Sequence, residues 1–461
     1  MDATVSFFSI PALGRLIRKK ELSPVELTQV YLERIQQVDS RIHAFARVTS
    51  DAACARARLL EKEIMSGTIR GPLHGIPYAV KDAFAFPGYP TTWGSPAFAD
   101  QVFDTSATVI TKLDDAGAIL LGKCAMTELA GSPSHVAREA CRTPWDTARW
   151  AGGSSGGPAA AVASGCSAFA LGTETLGCTV TPASYCGVSG LRPTYGRISR
   201  AGVMRLSWSM DTVGILTRTA RDCATVFSAL QGIDPADPST IRKPFEPRFT
   251  RVRQRAPRLR VALINEDYPP WGDRDVQGAF REALAVLSSA GVHAEEIVLP
   301  DHPYKKIAET IITAEGASVF EPTVRTGTIG ALVDGDRRAE ILGGQLISAV
   351  DYLRCQRIRT AMIRDLSGIF RKYDILIGAS ALTCAPSVDA DLKTSSGRVT
   401  TIGAAGNLVG LPAVSIPCGF NRDRLPVGTT VTGRPFGEAE VLEIAHLYQT
   451  ITRWHEQTPP V

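Results

Sequence analysis

The sequence predicts an α/β protein built as one large domain, with a mixed, mainly parallel sheet that helices cover on both faces. Short apolar runs of strand length alternate with amphipathic runs of helix length along most of the chain. Of the 461 residues, 44% are apolar and 21% are charged, which is the composition of a globular protein with an ample core. The alternation contains no internal repeat, so one continuous domain is the simplest prediction.

Residues 1–70 are predicted to form a helical segment in front of the main domain, which spans 71–461. Ser23 is the expected N-cap of the first long helix, and Pro24 occupies its first position. A second amphipathic helix is predicted over 51–65. Together these two helices are expected to make a helical cap.

The main domain begins with a short apolar strand at 78–80, which ends in the charged pair Lys81 and Asp82. In one interpretation Lys81 is a solvated strand end, and Asp82 is its ion-pair partner or the next helix cap. In the other, Lys81 points into a site, and this stretch alone favours neither. Further strands are predicted at 118–121, 260–267, 373–377 and 413–416, and further helices at 105–116, 218–233, 276–290 and 438–450.

Two glycine-rich turns, at 152–157 and 172–178, flank one uncharged run at 158–171 that is predicted to be buried. Such a layout lets backbone N–H groups and small side chains converge on one ligand atom, as an anion-stabilising site requires. The alternative is that the turns only connect packed elements. Two turns around one buried run favour the site.

Net charge, histidine spacing and the absence of known motifs exclude several classes of function. A net charge of +4, dispersed over the whole chain, predicts no binding of nucleic acid. The seven histidines never pair at i,i+4 or beside a cysteine, so no metal site is expected. No phosphate loop, dinucleotide fingerprint or GxSxG motif is present, and no cofactor is predicted.

Cellular context is predicted from the cysteines and the N-terminus. The ten cysteines are scattered and form no CxxC pair, which is typical of a reducing compartment. The first 20 residues do not resemble a signal peptide, and no apolar run reaches the ~18 residues of a membrane span. A soluble, cytoplasmic protein without membrane contact is expected.

Seven runs of residues carry a resemblance to the amidase signature family, in that family's order and spacing. They are GIPYAVKD at 75–82, AGGSSGGPAAAVASG at 151–165, ALGTETLGC at 170–178, PASYCGVSGLRPTYGRISRAGV at 182–203, SMDTVGILTRTARDCA at 209–224, GNLVGLPAVSIPCGF at 406–420 and LPVGTTVTGRPFGEAEVLEIAHLYQ at 425–449. The resemblance covers roughly residues 20–461. It implies the amidase signature fold and cleavage of carbon–nitrogen bonds.

The resemblance also implies roles for individual residues. Lys81 stands at the family's lysine, Ser154 at the bridging serine that follows an unusual cis peptide bond, and Cys178 at the nucleophilic serine. The backbone N–H groups of Thr175, Leu176, Gly177 and Cys178 would hold the oxyanion.

Several departures from the family pattern cluster around the nucleophile position. Glu174 replaces an aspartate, Leu176 a glycine, Thr179-Val180 an Ile-Arg pair, and Arg192 a lysine. If the family's glycine has a positive φ, Leu176 is strained by ~1–2 kcal/mol and covers the oxyanion hole.

Weaker assignments follow from the same resemblance. Ser155 is expected to support the loop through its hydroxyl, or to be a plain turn residue. Asp211 and Arg218 are expected to form a structural ion pair behind the site. Met126, Thr127 and Glu128 are expected to line the substrate pocket, although Ala125 stands where the family often has asparagine.

Two hypotheses about function remain. The first is an amidohydrolase that cleaves a linear small-molecule amide through an acyl group on Cys178. The alternative is a non-hydrolytic relative, either a scaffold or binding subunit or an enzyme that passes a Cys178 thioester to another acceptor. A tRNA-dependent amidotransferase subunit receives less weight, because the sequence shows none of its partners, and a homodimer is an open expectation.

Overall fold

One mixed sheet of 11 strands forms the centre of the protein. The computed structural model describes residues 3–133, 135, 139–267, 273–395 and 399–461. Within these residues the strands are β1 Phe45–Val48, β2 Pro77–Lys81, β3 Ile119–Cys124, β4 Phe169–Glu174, β5 Ser189–Arg192, β6 Thr212–Thr217, β7 Val261–Ile264, β8 Ala294–Ile297, β9 Ile375–Ala379, β10 Ala413–Phe420 and β11 Pro426–Gly433.

Helices cover this sheet, as the sequence predicts. Over the same described ranges they are α1 Ile10–Arg18, α2 Pro24–Ile42, α3 Ser50–Met65, α4 Thr108–Asp115, α5 Gly156–Ala163, α6 Val180–Cys186, α7 Ala220–Leu230, α8 Val252–Arg255, α9 Arg274–Ser289, α10 Tyr304–Val319, α11 Glu321–Arg325, α12 Gly335–Gly344, α13 Ala349–Lys372, α14 Leu392–Ser395, α15 Thr401–Leu408 and α16 Glu438–Ile451. None of the helices described is long and apolar enough to cross a membrane.

The strand order is β1-β3-β2-β4-β6-β5-β10-β11-β9-β7-β8. The sheet is mixed as predicted, but it is not mainly parallel. Four of its neighbouring pairs are parallel and six are antiparallel. Strands β10 and β11 are joined by only the short turn 421–425, which forces them to run antiparallel.

The N-terminal helices begin as the sequence predicts. Ser23 caps α2 by accepting hydrogen bonds from the N–H groups of Val25 and Glu26, at 2.9 and 3.4 Å. The Glu26 carboxylate accepts one in return from Ser23 N at 2.9 Å, which completes a capping box. Residues 1–70 also contribute strand β1, which pairs with β3, so the segment is not purely helical.

Three neighbouring parallel strands position the candidate site. β2 pairs with β3 on one side and with β4 on the other, so the carboxyl ends of all three lie at one edge of the sheet. Lys81 is the last residue of β2, and Glu174 is the last residue of β4. Helix α5, all of whose residues are buried, packs against these strands and begins within the first glycine-rich run, at Gly156.

Candidate active site

Lys81 is the centre of the candidate site. Its side chain is fully buried, and its Nζ donates hydrogen bonds to Ser154 Oγ and to Thr173 Oγ1, both at 2.7 Å. Asp82 does not pair with Lys81, because its carboxylate lies 2.7 Å from the Nζ of Lys123, which is equally buried. The open question about this charged pair is thereby answered: Lys81 points inward and is not a solvated strand end.

Burial lowers the pKa of Lys81 to about 8. The cause is desolvation, which disfavours the ammonium form inside the protein. The negative charges of a Cys178 thiolate, Asp211 and Glu174 act in the opposite direction and raise this pKa. A substantial fraction of Lys81 is therefore neutral near pH 8, as a proton acceptor requires.

Ser154 follows a cis peptide bond between Gly153 and Ser154, as the resemblance implies. A side chain at Gly153 would meet Trp150 at 2.8 Å and Thr127 at 3.0 Å, so only glycine fits between them. The bridging position is therefore held by close packing on the Gly153 side and by Lys81 on the other.

Ser155 joins the two glycine turns. Its hydroxyl donates to Thr173 O at 3.0 Å and accepts from Thr173 N at 3.2 Å. Its backbone N–H donates to Cys178 O at 3.2 Å. These contacts give Ser155 the loop-supporting geometry expected of it and fix the spacing between Ser154 and the Cys178 loop.

The loop 175–178 has the backbone of an anion-binding turn. Gly177 has a φ of +87°, which favours glycine. Leu176 is not among the described residues with positive φ, so the strain expected at this position is absent. Within the described chain, the N–H groups of Leu176, Gly177 and Cys178 have no protein acceptor, which leaves them free for an oxyanion.

Leu176 and Cys178 are both partly exposed. The Leu176 side chain also packs against the core, so part of it is removed from the space in front of the loop. Of the ten cysteines, only Cys54 and Cys178 are not buried. Accessibility therefore separates Cys178 from all the other thiols except Cys54.

Asp211 supports the loop from behind. Its carboxylate accepts from Thr175 Oγ1 at 2.6 Å and from the backbone N–H groups of Leu206 and Ser207 at 2.7 and 3.0 Å. Burial raises the pKa of this carboxyl group, against the effect of these hydrogen bonds. Asp211 thus connects the loop 175–178 to residues Leu206 and Ser207.

Asp211 does not form the predicted ion pair with Arg218. Arg218 donates instead to the carbonyl oxygens of His455 and Gln457, at 3.0 and 3.1 Å, near the C-terminus. The physical reason is that β6 separates the two residues, so they lie at opposite ends of a strand about 20 Å long. Arg218 anchors the chain end and has no contact with the loop among the described residues.

Met126, Thr127 and Glu128 follow β3 at the same edge of the sheet as Lys81. Thr127 packs against Gly153, which brings this segment beside the bridging serine. The Glu128 carboxylate is buried and accepts from Ser95 Oγ and from backbone N–H groups at 333 and 334. Glu128 is therefore occupied in holding other segments together, whereas Met126 and Thr127 remain candidates for lining a pocket.

Sequence reasoning missed two residues that support the site, Thr173 and Glu315. Thr173 is the second acceptor of Lys81, and it lies in the second glycine-rich turn itself. Glu315 on α10 accepts from Ser207 Oγ and Ser209 N, at 2.6 and 2.9 Å, and so holds the segment that carries Asp211. The Glu315 contacts join residues more than 100 positions apart, for which the sequence has no local signal.

No cluster of residues able to hold a metal ion occurs in the part of the chain that the structure describes. Those residues instead bring together a buried lysine of lowered pKa, a serine hydroxyl, an accessible thiol and free backbone N–H groups. These are the kinds of group that a site for covalent acyl transfer with a lysine as base requires.

The comparisons with known proteins identify the family. The family model described as Amidase matches residues 26–442. A glutamyl-tRNA(Gln) amidotransferase subunit from Moorella thermoacetica is 34% identical over 97% of this chain and 97% of its own. The chain belongs to the amidase family, and it is an enzyme of the kind that acts on carbon–nitrogen bonds.

Solved structures show the same fold. A peptide amidase from Stenotrophomonas maltophilia has a TM-score of 0.83 at 26% identity, over 96% of this chain and 97% of that one. A chain from a vestigial protein complex, described in connection with the origins of an s-triazine catabolic enzyme, has a TM-score of 0.87 at 29% identity, over 96% and 98%. The predicted single-domain α/β fold is therefore confirmed.

Proposed function

We propose that this protein is an amidohydrolase that cleaves the carbon–nitrogen bond of a linear amide through a thioester on Cys178. The observation that supports it best is the buried Lys81, hydrogen-bonded at 2.7 Å to Ser154 and with a pKa of about 8. A lysine kept partly neutral inside a protein is poorly suited to a structural role and well suited to accepting a proton.

The proposed chemistry begins with two proton transfers. Ser154 Oγ takes the proton of the Cys178 thiol as its own hydroxyl proton passes to neutral Lys81. The thiolate then attacks the amide carbonyl carbon, and the N–H groups of the loop 175–178 hold the oxyanion that forms. Because a thiol is more acidic than an alcohol, a cysteine nucleophile demands less of its base than a serine would.

The amide bond breaks when the leaving nitrogen receives a proton back through Ser154. Lys81 supplies that proton and becomes neutral again, so the relay is ready for a second cycle. Water then attacks the thioester carbon, which releases the carboxylic acid and restores the Cys178 thiol. No cofactor takes part in this sequence.

Competitive alkylation tests the role of Cys178. Iodoacetamide is added to the native chain near pH 8, and the modified cysteines are located by peptide mass spectrometry. We expect Cys178 to react at least about tenfold faster than Cys54, the other partly exposed thiol, because only Cys178 is served by a base. Equal rates at Cys54 and Cys178 would contradict the proposal.

Hydrolysis assays complete the test. With 4-nitroacetanilide, benzamide and hexanamide as substrates, Cys178→Ala is expected to abolish turnover, while Cys178→Ser retains a measurable rate through the same relay. Full activity in Cys178→Ala would show that another residue carries the acyl group.

A second candidate function is that of an amidotransferase component, which passes the product of the cleavage to an acceptor on a partner. The likeness over nearly the full length to proteins named as subunits of glutamyl-tRNA(Gln) amidotransferase favours it. Turnover of a simple amide by the purified chain alone, lost in Lys81→Ala, would support the independent amidohydrolase. Absence of turnover with every amide, despite selective alkylation of Cys178, would support the amidotransferase component. A homodimer and a cytoplasmic location remain predictions.

A further inference from the structure

The carboxylate of Glu174 accepts four hydrogen bonds behind the loop 175–178. Its Oε2 accepts from the backbone N–H groups of Thr179 and Val180, at 2.7 and 2.9 Å. Its Oε1 accepts from Arg192 Nη1 at 3.0 Å and from Asn407 Nδ2 at 3.3 Å. One fully buried carboxylate thus ties the two residues that follow Cys178 to β5 and to α15.

Arg192 and Asn407 keep one polar atom each without a partner. Arg192 donates through Nε to Leu411 O at 3.0 Å and through Nη1 to Glu174, but its Nη2 is unpaired. Asn407 donates to Glu174 and to Gly403 O, but its Oδ1 is unpaired. Both side chains are 2% exposed, so bulk water does not satisfy these atoms.

Both residues line the same small cavity, which has room for about one water molecule. Gly177 of the oxyanion loop lines it too, as do Glu174 and Val180. A water placed there would accept from Arg192 Nη2 and donate to Asn407 Oδ1, which are the partners these atoms lack. The wall that Arg192 and Asn407 form is therefore polar, and an ordered water bound there would satisfy both side chains.

Net stability is a weak explanation for this arrangement. A buried ion pair contributes little to folding compared with a well-packed apolar pair, because both charges lose their hydration. The second carboxylate oxygen of Glu174, Oε2, indicates a different role. It accepts from the N–H groups of Thr179 and Val180 and so fixes the backbone directly after Cys178.

We propose that Glu174 and Arg192 act as a pair of positioning residues for Cys178, completed by one water bound between Arg192 and Asn407. The carboxylate holds the peptide after the nucleophile, and the guanidinium orients the carboxylate through the contact at 3.0 Å. The inference rests on the proposed function, since it concerns the alignment of the Cys178 thiol with Ser154 and the oxyanion loop.

Variants of the full-length chain test the pair. Glu174→Gln keeps the shape but removes the charge, and we expect kcat for 4-nitroacetanilide to fall at least about tenfold with KM changed less than about threefold. Alkylation of Cys178 by iodoacetamide should slow in parallel, whereas alkylation of Cys54 should not change. A purely structural role would leave this split between the two thiols unaltered.

Rescue and control variants complete the design. Arg192→Met leaves Glu174 unpaired and should also lower kcat at least about tenfold, while Glu174→Gln/Arg192→Met should lose less than the two single losses combined.

Glu438→Gln is the matched control. Glu438 is another buried carboxylate beside an arginine, Arg197 at 3.7 Å, and it binds Thr194 N rather than the Cys178 loop. Its kcat should remain within about twofold of the native value.

Three outcomes would overturn the inference. The first is that the native enzyme is active and Glu174→Gln has the same kcat. If Glu174→Gln does not fold, the shorter Glu174→Asp takes its place in this comparison. The second is an equal loss in Glu438→Gln, and the third is a high-resolution crystal structure with no ordered water between Arg192 and Asn407. A native chain that neither hydrolyses amides nor shows selective Cys178 alkylation would refute the proposed function instead.

Discussion

Replacement of Lys81 by methionine should separate the catalytic role of this lysine from its effect on stability. The side chain is fully buried, and its pKa lies at about 8 instead of the ordinary 10.5. At ~1.4 kcal/mol per pKa unit, this difference in pKa lowers the free energy of unfolding by ~3 kcal/mol at pH 7. Methionine has a similar shape and avoids this penalty.

The net effect of Lys81→Met depends on pH in a defined direction. The pKa is lowered in the folded state, so the unfolded state binds more protons between about pH 8 and 10.5, and the penalty is complete below about pH 8. It fades as the pH rises from about 8 to 10.5. Against it stands the loss of the hydrogen bonds to Ser154 and Thr173, worth ~1 kcal/mol each. Lys81→Met should therefore stabilise by about 1 kcal/mol at pH 7 and destabilise by about 1 kcal/mol near pH 10.

Urea unfolding at pH 7, 8.5 and 10 measures this change of sign, and amide turnover should fall at least about 100-fold at every pH. Lys123→Met is the matched control, because Lys123 is equally buried but forms an ion pair with Asp82 at 2.7 Å. Its loss leaves Asp82 uncompensated and should destabilise by ~3 kcal/mol. A pH-independent effect of Lys81→Met, or one equal to that of Lys123→Met, would refute the reasoning.

Two further substitutions probe the surroundings of the relay. Thr173→Val removes one acceptor of Lys81 Nζ and should lower kcat for 4-nitroacetanilide about tenfold with little change in KM. An unchanged kcat would show that Ser154 alone orients the lysine. Leu176→Gly relieves no strain, because Leu176 lacks a positive φ, so it should destabilise by ~1 kcal/mol in urea unfolding. A stabilised variant would contradict the observed backbone.

Local periodicity predicted five of the eleven described strands, β2, β3, β7, β9 and β10, and the helices α2, α3, α4, α7, α9 and α16, but not the direction of the strands. Strand β1 was missed because its residues Phe45–Val48 are all partly or fully exposed, so they lack the apolar run of a buried strand. The share of parallel pairs was overestimated because strands β5, β6 and β11 were not predicted, and the alternation of strands with helices was taken to include β10. These four strands pair antiparallel with their neighbours at the centre of the sheet.

The motifs predicted the Lys81–Ser154 contact, because both residues lie in runs that are specific to the family. Contacts behind the site could not be predicted in the same way. Asp211 and Arg218 are only seven positions apart, but strand geometry alone places them at opposite ends of β6. The support that Glu315 gives to the segment 206–211 depends on a tertiary approach of α10, for which spacing along the chain contains no information.

Three of the departures from the family pattern around Cys178 meet in space. Glu174, Val180 and Arg192 line a single cavity, and the first and third form a buried ion pair at 3.0 Å. The family pattern has an aspartate, an arginine and a lysine at these positions, which leaves one cation in excess, whereas this chain has one anion and one cation. Because an unpaired buried charge is far more costly than a paired one, these residues form a balanced set. We therefore interpret these changes as a rebuilt support behind the loop 175–178 and not as damage to it, since the N–H groups of Leu176, Gly177 and Cys178 have no protein acceptor among the described residues.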